Sequence, residues 1–194
     1  LIQAHPFATL VSSATGGLTA DHVPLVLKSN AGNHRLEGHI AAANPLFRET
    51  SDVIDVLTIF QGPQTYVTPS WYASKKEHGR VVPTWNYVVV HVRGTLSFTQ
   101  DTPWLLRHLD DLTRQHESHL AEPWAVSDAP EDFVAGQLRA LVGFEIAIDD
   151  IQGTWKVSQN KALKDWTGVK AGLEQSSSAE ASEIAKLVGE RGRR

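Results

Sequence analysis

The fold is decided by the stretch Trp85-Asn86-Tyr87-Val88-Val89-Val90-His91-Val92-Arg93-Gly94-Thr95-Leu96-Ser97-Phe98. It predicts a long β-strand, because β-branched and aromatic residues dominate it and its valine-rich centre is apolar on both faces. The run from Val53 to Phe60 predicts a second strand of the same kind. A strand that is apolar on both faces must be covered on both sides of the sheet. We therefore expect an outer cover in addition to a core, and a second subunit is the simplest one.

Four further strands are predicted by short apolar runs that end at turn residues, over 7–11, 18–28, 35–40 and 142–148. Pro24 within the second run indicates a sheet edge or a bulge. Turns are predicted at Thr15-Gly16-Gly17 and over 29–33. Helices are predicted over 101–119, 129–141 and 162–173, and a short one begins at Asn44-Pro45. This order indicates a mainly β fold with peripheral helices, built as a small six-stranded antiparallel barrel that is closed or half-open.

Composition sets limits on the class of protein. The chain has 194 residues, of which 41% are hydrophobic, and this suits one compact domain with an appendage. The absence of cysteine excludes disulfides and thiolate metal sites. The formal charge of −4 argues against broad electrostatic binding to nucleic acid, although residues 71–93 form a local basic stretch. Because a serine-rich hinge at 176–178 precedes a polar helix, we divide the chain into a domain of residues 1–173 and a helical tail of residues 174–194.

Aromatic and cationic residues are concentrated in one stretch, residues 61–87. It contains all three tyrosines and two of the six tryptophans, together with Lys75, Lys76, His78 and Arg80. Rings that stack beside cations suit a planar ligand with an anionic end. A loop stiffened by proline, whose aromatic side chains cap a core, explains the same composition, and the residue types leave both interpretations open.

Other candidate sites have weaker support. His22 and His39 lie on neighbouring predicted strands, where hydrogen bonding or ligand contact is favoured over metal binding because a third ligand is not evident. The motif His116-Glu117-Ser118-His119 is one residue too short for a zincin and is interpreted as surface. Ser70 lacks a recognisable catalytic partner. Residues 158–161 offer amides and a cation and are either a surface turn or part of a site. Phosphate-binding glycine motifs are absent from the sequence.

Seven short blocks follow one another along the chain. They are His5-Pro6-Phe7-Ala8-Thr9-Leu10-Val11, Asp21-His22-Val23-Pro24-Leu25, Glu37-Gly38-His39-Ile40 with Asn44-Pro45, Phe60-Gln61-Gly62-Pro63, Pro69-Ser70-Trp71-Tyr72, His78-Gly79-Arg80-Val81-Val82-Pro83-Thr84-Trp85-Asn86-Tyr87 and Lys156-Val157-Ser158-Gln159-Asn160. Together they resemble the PaiB family, known as FMN-binding negative transcriptional regulators. The resemblance covers residues 1–173.

The resemblance implies an FMN-binding split barrel, related to pyridoxamine-phosphate oxidases and flavin reductases. It also implies a homodimer with the flavin at the subunit interface, in agreement with the strands that are apolar on both faces. One departure is that the family usually has Ala-Arg-Ala-Asn-Pro where this chain has Ala41-Ala42-Ala43-Asn44-Pro45. If that arginine holds the phosphate, binding here is weaker, differently anchored or lost, and Arg48, Lys75 or Lys76 is a candidate substitute.

Ten residues are predicted to contact the flavin: His22, His39, Asn44, Lys75, Arg80, Thr84, Trp85, Asn86, Gln159 and Lys161. Lysine or arginine would hold the phosphate, Trp85 would stack on the ring, and the Asn and Thr side chains would form hydrogen bonds. No metal ligand is predicted, and the sequence does not identify a catalytic residue.

Three functions remain open. The first is a cytoplasmic dimer that controls transcription, although the sequence shows no recognisable helix-turn-helix. The second is an FMN-dependent oxidoreductase, in which the cofactor supplies the hydride chemistry. The third is a degenerate barrel that binds another small molecule. Contact with DNA is possible under the first but is not favoured by the net charge, and a membrane span is not predicted.

Overall fold

The computed structural model describes residues 1–14, 17–30, 32–50 and 53–191, so the predicted turns at 15–17 and 29–33 lie partly outside the described residues. The strands are β1 Phe7–Ala14, β2 Gly17–Pro24, β3 Val26–Asn30, β4 Asn33–Ala41, β5 Val53–Val67, β6 Thr84–Thr99 and β7 Leu141–Lys156. The α-helices are α1 Pro45–Arg48, α2 Ser74–His78, α3 Thr102–Glu117, α4 Glu131–Leu138, α5 Leu163–Glu174 and α6 Ala179–Arg191, with 3-10 turns at Pro69–Trp71 and Val126–Asp128. The mainly β, antiparallel split-barrel class with peripheral helices is confirmed.

Contacts divide the chain into two compact units. Unit 1 comprises Leu1–Phe60 and His91–Gln152, and unit 2 comprises Gln61–Val90 and Gly153–Arg194. Strands β5, β6 and β7 are long, with 15 or 16 residues each, and each has one part in unit 1 and the other in unit 2. The boundary that the sequence suggested between residues 173 and 174 lies within unit 2.

The sheet has the order β2-β1-β5-β6-β7-β4-β3, which places β2 and β3 at opposite edges. Leu25 alone connects these two edge strands along the chain. Its backbone N–H donates to Pro6 at 2.9 Å, and its side chain packs against Gly38 on β4. Two edges joined by one residue require the sheet of unit 1 to curl until those edges approach each other at this corner.

The prediction of six strands was wrong by one. The run 18–28 was predicted as a single strand, but it is divided into β2 and β3 at Leu25. Pro24 is the last residue of β2, at a sheet edge, as its missing backbone donor suggests. The division could not be read from the sequence, because Val23 to Leu27 is a nearly continuous apolar run.

Two strands are longer than predicted. β5 continues from Phe60 to Val67, so that the first part of the aromatic stretch is strand and not loop. β7 continues from Ile148 to Lys156, beyond the predicted end of the strand at residue 148. The helices α3, α4 and α5 were each predicted within three residues of their observed ends.

The interior of unit 1 is filled by large side chains from its strands, which are fully buried: Leu10, Leu25, Leu36, Phe60, Leu96, Phe144 and Ile146. Gly38 is required in this interior because a Cβ there would lie 2.4 Å from the ring of Phe144. Trp104 and Leu105 of α3 form a second cluster with Leu138 of α4.

Unit 2 is built around its two C-terminal helices. Gly168 and Gly172 lie one turn apart on α5, and both face Trp71 of the 3-10 turn. A Cβ at Gly168 would lie 1.9 Å from the carbonyl oxygen of Trp71, so this close approach requires glycine. Helix α6 was predicted to be polar, but it buries a face at helical spacing: Ala181, Ile184, Ala185 and Val188.

Candidate flavin site

The predicted stacking residue Trp85 lies at the start of β6, in unit 2. Its side chain is 53% exposed, and its ring stands edge-on to that of Tyr66 with centroids 6.0 Å apart. Tyr66, on β5, is also exposed. An exposed aromatic pair of this kind offers an apolar surface to a flat ligand.

Three predicted cationic residues of unit 2 differ in their surroundings. Lys75 on α2 is exposed and donates to the hydroxyl of Ser70 at 3.0 Å. Arg80 is exposed, and its guanidinium makes no hydrogen bond or ion pair to a described residue. The Nζ atom of Lys161 lies 4.5 Å from the centre of the Tyr72 ring. Arg80 is therefore the most available of the three for an anionic ligand.

Three other candidates hold the backbone together within unit 2. Asn86 is 1% exposed, and its amide exchanges two hydrogen bonds with the hydroxyl of Ser158, at 3.0 and 3.2 Å. Thr84 accepts a hydrogen bond from Lys156 at 2.8 Å. The amide of Gln159 accepts from the N–H of Val157 and donates to the carbonyl of Trp155. These contacts fix residues 155–159 against the start of β6.

Asp165 of α5 is hydrogen-bonded to Ser74, the first residue of the helix α2 that carries Lys75 and Lys76. Its carboxylate accepts hydrogen bonds from the N–H and the hydroxyl of Ser74, at 2.9 and 2.7 Å. Burial by itself would raise the pKa of Asp165, but these two bonds and the charges of Lys164 and Lys161 lower it overall. Burial and the charge of Asp165 raise the pKa of Tyr72, whose hydroxyl is buried without a partner among the described residues.

Asn44 of unit 1 is hydrogen-bonded to Asp21, the residue that precedes His22 on β2. The side-chain oxygen of Asn44 accepts from the N–H of Leu46 and caps α1, and its amide nitrogen donates to Asp21 at 2.7 Å. His22 is exposed on the edge strand β2 and stacks on Phe7 with ring centroids 6.3 Å apart. The same side chain therefore caps α1 and, through its bond to Asp21, fixes α1 relative to β2.

Ala42 stands where the family usually has arginine, and the side chain of Arg48 reaches its backbone. Arg48, at the end of α1, donates through Nε to the carbonyl oxygen of Ala42 at 3.4 Å. Its guanidinium is exposed and therefore brings a positive charge to the backbone position where the family usually has arginine. Arg48 stays the predicted substitute for that arginine.

His39, which was placed on a predicted strand next to that of His22, pairs with a residue of helix α3. Its Nδ1 lies 3.0 Å from Nε2 of His108 on α3. His108 is fully buried and stacks on Trp104, with ring centroids 5.2 Å apart and an interplanar angle of 21°. Burial, the neighbouring His39, Lys28 and Arg107 lower the pKa of His108 to about 4, against an opposing effect of Asp111.

The remaining candidates lie at the surface. His116 and His119 are exposed at the end of α3 and beyond it. Across the part of the chain that the structure describes, His, Asp and Glu side chains form no group of three or more that could hold a metal. Within the same residues, every helix is too short or too polar to span a membrane.

Sequence reasoning missed three residues of this arrangement. Ser158 was quoted only within a block, yet it is buried and has a φ of 60°. His108 lies four residues after Trp104 on the apolar face of α3, a spacing that could have indicated its burial. Asp165 had no such signal, because an acidic residue in the first turn of a helix is ordinary.

Comparison with known proteins places this geometry in a family. The family model described as "Putative FMN-binding domain" matches residues 1–150. The Bacillus subtilis protein named "Protease synthase and sporulation protein PAI 2" is 32% identical over 96% of this chain and 87% of its own length. The chain belongs to the PaiB family of FMN-binding domains. This confirms the resemblance, and FMN as the cofactor of the family.

Two further similarities agree with this assignment. An uncharacterized protein of Emericella nidulans is 31% identical to this PaiB-family chain over 99% of it and 91% of its own length. The FAD and heme binding protein of Mycobacterium smegmatis has a similar fold, with a TM-score of 0.56 at 16% identity over 80% of this chain and 67% of its own.

Proposed function

We propose that this protein is a cytoplasmic homodimer that binds FMN at its subunit interface and uses the flavin in the control of gene expression. The observation that carries flavin binding is the exposed Trp85–Tyr66 pair, which offers aromatic surface in a protein of an FMN-binding family. A stacked flavin would bury the indole that the single chain leaves exposed. Homodimerisation is supported by apolar side chains that the single chain leaves exposed on β5 and β6, namely Val53, Tyr66 and Trp85.

Each unit by itself contains side chains whose chemistry suits FMN. In unit 2, Trp85 would stack on the ring, and Arg80, Lys75 and Lys161 would be available to the phosphate. In unit 1, Arg48 would replace the missing family arginine, and His39, His22 and Asn44 would contribute hydrogen bonds. Thr84, Asn86 and Gln159 would act indirectly, by holding the backbone that carries Trp85. Bound FMN would supply hydride or one-electron transfer, and the protein would supply binding and orientation.

A regulatory role is supported by the name of the Bacillus subtilis relative, which refers to protease synthesis and sporulation. Direct DNA reading by the C-terminal helix pair is disfavoured. Helices α5 and α6 are joined by four residues, but the exposed side of α6 carries Glu180, Glu183 and Glu190 against Lys186 and Arg191. A helix face with this nearly balanced charge offers little attraction to the phosphate backbone. This observation favours a second candidate, an FMN-dependent oxidoreductase.

The test of FMN binding is titration of the purified protein with FMN, followed by flavin fluorescence. We expect Trp85→Ala to weaken binding about tenfold, the effect of losing roughly 1.4 kcal/mol of stacking. The matched control is Trp124→Ala, because Trp124 is exposed to a similar extent, 48%, and is not one of the ten predicted flavin-site residues. Equal binding by both variants, or no binding by the wild type, would contradict the proposed site.

A second titration addresses the substitute arginine. Arg48→Ala should weaken binding of FMN about tenfold but leave riboflavin unaffected, because riboflavin lacks the phosphate. Ala42→Arg, which restores the family residue, should recover the loss. If Arg48→Ala weakens both ligands equally, Arg48 does not hold the phosphate.

The two candidate activities are separated by two assays of the FMN-loaded protein. Sequence-dependent DNA binding that persists at physiological salt would support regulation. Steady oxidation of NADH or NADPH without such DNA binding would support the oxidoreductase. A protein that neither binds FMN nor becomes yellow after incubation with it would instead be a degenerate barrel.

A further inference from the structure

The hydrogen bond between His39 and His108 limits how protons can be arranged on the two rings. Nδ1 of His39 and Nε2 of His108 lie 3.0 Å apart, so one of them must donate and the other accept. Burial lowers the pKa of both histidines, and each neutral ring therefore carries one N–H and one lone pair. Only two arrangements satisfy these conditions.

The two arrangements differ at the outer nitrogens. If His39 donates through Nδ1, the proton of His108 must be on its own Nδ1. If His108 donates through Nε2, its Nδ1 is a bare lone pair and the proton of His39 is on Nε2. Nδ1 of His108 is buried and has no hydrogen-bond partner among the described residues. An N–H without an acceptor is the rarer and costlier of the two kinds of unsatisfied buried group.

His108 is also fixed in place, which prevents its ring from turning to relieve this constraint. It is fully buried and stacks on Trp104, which itself packs with Leu105 and Leu138 in an apolar cluster. The indole of Trp104 is itself held by a hydrogen bond from Nε1 to Glu145 at 2.8 Å. Nε2 of His39, by contrast, makes no hydrogen bond to a described residue and belongs to a half-buried side chain.

We infer that His108 is a positioning residue that fixes His39 as the Nε2–H tautomer, so that His39 presents a hydrogen-bond donor to an acceptor atom of the flavin. This inference rests on the proposed function for the identity of the ligand, but the tautomer itself does not depend on any ligand. The acceptor belongs either to the phosphate or to the ring system, and both are recognised by the same N–H group.

The first experiment determines the tautomer in the full-length protein without flavin. Two-dimensional ¹H–¹⁵N NMR of ¹⁵N-histidine-labelled protein distinguishes protonated from bare ring nitrogens. We expect protonated Nε2 and bare Nδ1 for both His39 and His108 near neutral pH, with assignment by His39→Gln and His108→Gln. Protonated Nδ1 on either ring would overturn the inference, whether or not the protein binds FMN.

The second experiment tests the consequence for binding. His108→Gln places an amide N–H close to the position of Nε2 and should retain FMN affinity, whereas His108→Leu frees the tautomer of His39 and should weaken binding about threefold to tenfold. The control is His116→Leu, which removes an exposed histidine of the same helix and should have no effect. Comparable loss in His108→Gln and His108→Leu would indicate a merely structural role and would contradict the inference.

The ligand atom is identified by titrating His39→Leu with FMN and with riboflavin. A loss for FMN alone assigns the acceptor to the phosphate, and an equal loss for both assigns it to the ring system or ribityl chain. Unchanged affinity for both ligands would show that His39 does not donate to the flavin. If wild-type protein binds neither ligand while the NMR result holds, the proposed function fails and the tautomer assignment stands.

Discussion

Asp165 accepts two hydrogen bonds from Ser74, one from its backbone N–H at 2.9 Å and one from its hydroxyl at 2.7 Å. The carboxylate is buried and thereby ties helix α5 to the start of helix α2. Since α2 carries Lys75, the same contact sets the position of a candidate phosphate ligand.

The first prediction is that Asp165→Ala lowers the free energy of unfolding by about 2–4 kcal/mol, because it removes a buried charged acceptor and leaves two donors unsatisfied. Urea denaturation measures the change. Asp110→Ala is the control, since Asp110 is exposed and makes no described hydrogen bond or ion pair, and it should alter stability by less than about 0.5 kcal/mol. The two variants should differ clearly; similar values would mean that the Ser74 contact is not stabilising.

The second prediction concerns the pH dependence of the same contact. Because the pKa of Asp165 is lowered below 3.8 in the folded protein, its contribution is complete above pH 3.8 and is lost as the pH falls through the folded value. The difference in unfolding free energy between wild type and Asp165→Asn should therefore be constant from pH 7 to about pH 4.5 and shrink below it. A difference that changes mainly between pH 5 and 7 would contradict this assignment.

The third prediction concerns a second group whose pKa is lowered on folding, His108, which acts at higher pH. The pKa of His108 falls from 6.5 to about 4 on folding, so the unfolded chain binds more protons between these values and stability declines as the pH drops from 6.5 toward 4. The full effect is about 3 kcal/mol, and His39, whose pKa burial also lowers, contributes with the same sign. Charged groups that act on His108 are Lys28, Arg107 and Asp111.

His108→Leu should flatten this decline, measured as thermal stability at several pH values between 4 and 7. His116→Leu, on the exposed side of α3, should retain the wild-type slope. The prediction fails if both variants and the wild type lose stability in parallel.

The fourth prediction concerns the close packing of α5 on Trp71. Gly168→Ala should destabilise the protein by about 3 kcal/mol, because the new Cβ would overlap the carbonyl oxygen of Trp71. Gly189→Ala on α6 is the matched control, with its nearest neighbour 3.5 Å from the new Cβ. It should be stabilising by about 0.5–1 kcal/mol, owing to the higher helix propensity of alanine.

The fifth prediction separates two properties of Ser158, the hydrogen bond of its hydroxyl to Asn86 and its backbone φ of 60°. Both Ser158→Ala and Ser158→Gly remove the hydroxyl that bonds to the buried amide of Asn86, at a cost of about 2 kcal/mol. Glycine also relieves the strain of a φ of 60°, so Ser158→Gly should be less destabilised than Ser158→Ala by about 1 kcal/mol. The reverse order in urea denaturation would show that the backbone is not strained.

The sequence predicted those parts of the fold that depend on local pattern. Helix α3 was found from the spacing of Trp104, Leu105, Leu109 and Leu112, and α1 from its Asn-Pro start. The break at Leu25 was missed because its cause is not local: β2 pairs with β1, and β3 pairs with β4. The burial of α6 was missed because alanines count weakly in a hydrophobic pattern, although Ala181 and Ala185 are buried together with Ile184.

The candidate site shows the same limit. Residue chemistry identified Trp85 and Arg80, which are exposed, and the family pattern identified Arg48 as a possible replacement for the missing arginine. The spacing of residues did not reveal that Asn86 bonds to Ser158, since 72 positions separate them. It also did not reveal that His108 is the partner of His39, because the two lie 69 positions apart, on a strand and a helix.

The single residue between β2 and β3 couples the alignment of two hairpins. In antiparallel pairs a shift by one position turns every side chain to the opposite face. Leu25 allows no spare length, so a shift in the β1–β2 hairpin would pull the β3–β4 hairpin out of alignment with β7. An insertion after Pro24 should consequently be tolerated far less well than one in a surface loop of the same length.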